Sequence, residues 1–132
     1  LPVLVGSHRR PHMRRDLDLI RKLILAVEDR DAEYWVPAIE IEGYTPQQIG
    51  YHSYLIADAG LAKGIDVSTL DDMLPNWQLS HLTSAGHDFA DAARSDSTWS
   101  KATTIVKDKG GGFTIDILKQ VLVSVVKNTL GL

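Results

Sequence analysis

The sequence predicts a mixed α+β fold: helix, short strand, helix, a two-stranded hairpin, then three helices. Three observations carry this expectation. Apolar residues recur every three or four positions over 16–29 and again over 115–130. Thr45-Pro46-Gln47-Gln48 has the residue order of a helix start. Two apolar runs, 61–67 and 77–82, flank a polar stretch that contains Pro75.

With 132 residues, 44% of them hydrophobic and 23% charged, the chain has the length and composition of one globular domain. That excludes a disordered, collagen-like or coiled-coil chain. The absence of cysteine excludes a disulfide framework, thiol catalysis and thiolate metal sites. A formal net charge of −3 argues against a globally basic nucleic-acid binder and leaves room for a local basic face. Residues 1–12 do not read as fold: Gly6-Ser7-His8 and His12-Met13 look like a cloning remnant, and Met13 like a native start. Setting aside Arg9 and Arg10 moves the net charge to −5. No run of 18 uncharged apolar residues follows, so no membrane partner is expected. Without a secretory signal or cysteine, the cytoplasm is the expected compartment.

The elements follow in order. Leu17, Ile20, Leu23, Ile24 and Val27 make the core stripe of a helix over 16–29, with Asp16 and Asp18 in its first turn. Ile39-Glu40-Ile41-Glu42 alternates, which predicts a half-exposed strand over 38–42, closed by Gly43-Tyr44. Thr45 caps the next helix, Pro46 suits its first position, and Gln48 completes a capping box. This helix should run over 46–59 and stop at Gly60, with Ile49, His52, Leu55, Ile56 and Ala59 on one face. The hairpin follows, with 68–76 as its loop. Thr83 or Ser84 caps a helix to about Arg94, another covers 97–109, and Gly110-Gly111-Gly112 interrupts the chain. Thr114 caps the last helix, 115–130, ahead of Gly131.

A capped helix followed by Gly-Leu and a hairpin is the outline of a winged helix. The helix at 46–59 takes the place of the recognition helix, and 68–76 the tip of the wing. The fold class is therefore a winged-helix-like domain over 13–94 with a C-terminal helical extension over 95–132 packed on it. Arg15-Asp16-Leu17-Asp18-Leu19-Ile20-Arg21-Lys22 resembles the opening of a domain family of unknown function found in phages and prophages. Gly43-Tyr44-Thr45, the stretch Ile49 to Leu61, Leu82-Thr83-Ser84-Ala85-Gly86-His87-Asp88-Phe89, and Trp99 with Lys101-Ala102 share that resemblance. It implies the fold and a phage or prophage context, and no catalytic residue follows from it.

The chemistry-bearing residues give little to an enzyme. There is no nucleophile elbow, phosphate loop or dinucleotide fingerprint. His81, His87, Asp88 and Asp91 are the only metal-like group, without a zinc spacing, so no metal and no cofactor are expected. His52, on the core face, reads as a packed histidine. The expected activity is regulatory, non-enzymatic binding, with double-stranded DNA as ligand. Arg14, Arg15, Arg21 and Lys22 would supply phosphate contacts, and Gln47, Gln48, Tyr51 and Tyr54 would face the groove. Against this, the 46–59 helix has no Lys or Arg, and Asp66, Asp71 and Asp72 make the wing acidic. The alternative is an adaptor that engages a host or phage protein. The last helix is apolar over a wide arc, so a homodimer is expected through Leu118, Val121, Leu122 and Val125.

Overall fold

The computed structural model describes residues 13–30, 38–108 and 114–132. The expectations for residues 1–12 and for Gly110 to Gly112 lie outside the described residues. Among the described residues there are five helices and one two-stranded antiparallel sheet. Helix α1, Leu17–Asp29, starts where the Asp16 carboxylate accepts the Leu19 N–H at 3.1 Å. It buries Leu19, Ile20, Leu23, Ile24 and Val27 and packs on three other elements described below.

Helix α2, Pro46–Asp58, carries the capping box: Gln48 N–H donates to Thr45 Oγ1 at 3.1 Å, and Thr45 N–H to Gln48 Oε1 at 2.9 Å. At its other end Leu61 N–H returns to Ile56 O and Gly60 N–H to Ala57 O, with Gly60 at φ +79°. This is the six-to-one closure that a left-handed glycine permits.

Strands β1, Ala62–Asp66, and β2, Trp77–Leu82, pair from Ala62↔Leu82 to Asp66↔Trp77, with a register shift between Lys63 and Gly64. A Cβ at Gly64 would lie 2.5 Å from the Gln78 carbonyl oxygen, so the irregular pairing needs a glycine there. Thr83 then joins three elements. Its N–H donates to Leu61 O, its hydroxyl to Gly60 O at 2.6 Å, and its Oγ1 accepts Gly86 N–H at the start of helix α3, Ser84–Ala93.

Helices α4, Asp96–Asp108, and α5, Ile115–Leu130, pack on each other and on α3, while α1 packs on α2, α3 and β2. Phe89, Trp99, Val106, Leu118 and Leu122 extend the core between the last three helices.

The strand expected over 38–42 is not formed. Ile39 and Ile41 are half-buried against the core and Glu40 and Glu42 exposed, so the alternation marked side-chain direction. A strand also needs a ladder partner, and the chain here turns instead. Tyr44 N–H donates to Ile41 O at 3.2 Å, and Gly43 adopts φ +89°. On β2, the Leu79 and Ser80 carbonyls accept the Arg30 guanidinium.

Candidate nucleic-acid interface

The first turn of α1 is fastened to the middle of α2 by a buried histidine. Asp16 N–H donates to His52 Nε2 at 2.8 Å, and the other ring nitrogen, Nδ1, lies 2.8 Å from Gln48 O. A carbonyl can only accept, so Nδ1 carries the proton and the ring is neutral. His52 is 2% exposed, and burial pulls its pKa below 6.5. The nearby Arg15 charge acts in the same direction, while the Gln48 bond and the Asp16 carboxylate oppose it. Beside it, Tyr44 O–H donates to Asp16 Oδ2 at 3.2 Å. Burial, and then the Asp16 charge, raise the Tyr44 pKa. Lys22 Nζ stands 5.6 Å from the centre of the Tyr44 ring, in cation–π range.

These contacts decide where the cations go. Arg14 and Arg15 immediately precede the Asp16 cap and are exposed, and Lys22 lies over Tyr44 next to Thr45. Arg15 is therefore near His52 in the middle of α2, and Lys22 is near its N-cap. Gln47 is exposed on that helix. Tyr51 and Tyr54 are half-buried and form a row that reaches the hairpin: Tyr51–Tyr54 centroids are 5.9 Å apart and Tyr54–Trp77 6.1 Å.

Arg21 and Gln48 are engaged elsewhere. Arg21 points to the opposite side, where Nε donates to Ala93 O at 2.7 Å and Nη2 pairs with Asp96 at 2.6 Å. Its guanidinium also lies 5.6 Å from the Trp99 ring centre. Arg21 closes the C-terminal end of α3 against α4 and leaves the phosphate-binding set, because a core-facing flank of α1 directs it there. Gln48 holds the Thr45 N–H with its side-chain oxygen, so its amide cannot make the donor-plus-acceptor pair that reads adenine.

The self-association residues are also corrected. Leu118, Leu122 and Val125 are buried within their own chain and Val121 packs half-buried beside them, because α3 and α4 cover that side of α5. The apolar residues left outside are Ile117, Val123 and Leu130.

His81, His87 and Asp91 take local partners: Ser80 Oγ, Glu28 and Arg94 respectively. Among the described residues no group of His, Asp and Glu is arranged to hold a metal ion. Among them, too, no helix is long and apolar enough to cross a membrane.

Sequence reasoning missed Tyr44 and Trp77 as parts of this surface. Tyr44 reads in the sequence as the residue that closes a strand and Trp77 as the start of another, and their contacts depend on which helix they face.

Comparison with known proteins places the chain. It belongs to the family described as "Hypothetical protein (DUF2513)", which matches residues 14–112. It is 32% identical over 119 residues to an "Uncharacterized protein" of Haemophilus influenzae, covering 89% of this chain and 99% of that one. No solved structure matches the chain.

Proposed function

We propose that this chain is a non-enzymatic regulatory protein of phage or prophage origin that binds duplex DNA through a winged-helix-like domain. Helix α2 lies in the groove and the 68–76 loop is the tip of the wing. The observation that carries this reading is the Asp16–His52 bond, which fastens the α1 start that follows Arg14 and Arg15 to the centre of α2, while Lys22 lies over Tyr44 just ahead of the α2 cap. Cations at that position supply the sequence-independent phosphate term, and Gln47, Tyr51 and Tyr54 contact base edges or sugars. Selection from a random duplex library tests it. The protein should enrich a shared sequence, and a variant carrying Arg14→Ala and Arg15→Ala should not. Recovery of the unselected pool by both would argue against the reading.

A second reading, the protein adaptor, is favoured by the hairpin loop. Leu70 and Met73 are 105% and 82% exposed beside Asp71 and Asp72, with no Lys or Arg between residues 64 and 93. Such a surface repels phosphate and suits a basic, partly apolar protein partner of host or phage.

A further inference from the structure

A cleft of about 370 Å³ runs between the first two turns of α2 and the hairpin, near the lower end of the roughly 300–1,000 Å³ usual for small-molecule sites. Its apolar walls include Ile39, Ile49, Leu74, Trp77 and Leu79. Its polar lining residues include Gln47, Asn76, Gln78 and Asp72, with no Lys, Arg or His among the described residues of the lining. Among the described residues, those three carboxamides make no hydrogen bond within the protein. Asp72 accepts from Thr69 N–H at 2.8 Å through Oδ2, which leaves Oδ1 open. The floor is shaped for this arrangement. A Cβ on residue 50 would collide with the Asn76 carboxamide, so Gly50 lets that group lie directly against α2.

We propose that this cleft binds a small organic ammonium ion with an apolar body about the size of one ring. The apolar walls remove the body from water. One carboxylate with a free oxygen, and no cation among the described lining residues, make the site attractive to an ammonium group and repulsive to a carboxylate. The three amides can receive the remaining N–H donors through their oxygens. The site does not depend on the DNA reading, and its test uses no nucleic acid, so each can fail alone.

The test titrates the isotope-labelled full chain with 2-phenylethylammonium and, separately, with 3-phenylpropanoate, which pairs a similar body with the opposite charge. The ammonium should shift the amides of Gly50, Ser53 and Asn76 and the Trp77 indole saturably. The anion should bind at least about tenfold more weakly, the scale of one charge-assisted contact. Asp72→Asn keeps an acceptor for Thr69 N–H and should bring the two probes to similar affinity. Equal affinity of both probes for the wild-type chain would overturn the proposal. So would shifts confined to residues outside the cleft, no saturable shift, or an undiminished preference in Asp72→Asn.

Discussion

The backbone N–H of Asp16 donates to Nε2 of His52 across 2.8 Å, so the N-cap residue of α1 is held by a side chain from the centre of α2. Cap and ring depend on each other. Asp16 orders the first turn of α1 through Leu19 N–H, and His52 needs an N–H partner because it is buried and neutral.

A pH dependence follows. The folded-state pKa of His52 lies below 6.5, chiefly through burial, so the unfolded chain binds a proton here that the folded chain resists. The contribution is complete above the unfolded value and is lost as pH falls below it, with a slope of up to ~1.4 kcal/mol per pH unit for one proton. The difference in urea midpoint between wild type and His52→Ala should therefore shrink on going from about pH 8 to about pH 5.5. A constant difference would contradict the neutral, buried ring.

Two glycines should respond very differently to alanine. A Cβ on residue 86 would overlap the Leu61 carbonyl, the same group that accepts Thr83 N–H, and neither can move without opening the junction of hairpin and α3. Gly86→Ala should cost more than ~3 kcal/mol or prevent folding. Gly60 has open space around its absent Cβ and only a positive φ to lose, so Gly60→Ala should cost about 1–2 kcal/mol. Chemical denaturation of both variants gives the comparison.

Arg21 and Arg14 should separate stability from binding. Arg21→Ala leaves the Ala93 carbonyl without its guanidinium donor and should lower stability by roughly 1–3 kcal/mol. The DNA affinity of the folded fraction should be unchanged. Arg14→Ala should weaken DNA binding with a much smaller change in stability. A loss of DNA affinity in Arg21→Ala, with the fold intact, would return that residue to the phosphate-binding set.

Leu122→Ala tests the place of α5. Leu122 is 1% exposed inside its own chain, so truncation should cost about 2–5 kcal/mol in unfolding free energy. The mass of the folded particle in light scattering should not change with it. A shift in mass at unchanged stability would restore the helix as an interface.

Local signals in the sequence were the most legible. Thr45 and Thr114 cap their helices as the sequence indicates, Thr83 is the cap of the two candidates there, and Asp16, expected in the first turn, is itself the cap of α1. The hairpin was legible from its two apolar runs. The misreadings all required tertiary information. The alternation over 38–42 reports which side chains face inward and says nothing about a neighbouring strand. Arg21 and Lys22 are adjacent, and only the packing of α1 sends one to Asp96 and the other to Tyr44. The apolar arc of α5 predicts one side on its own domain and another on a second copy, and only the packing shows that Leu118, Leu122 and Val125 belong to the first.

The central claim is that Arg14, Arg15 and Lys22 give α2 an electrostatic hold on duplex DNA. The measurement is the anisotropy of a labelled duplex as salt is raised, for wild type and for the Arg14→Ala, Arg15→Ala double variant. Wild type should bind at low salt with an affinity that falls steeply, and the double variant should lose about two units of log–log slope, one per phosphate contact removed. No binding by the wild-type chain at low salt, or the same slope in both proteins, would contradict the claim.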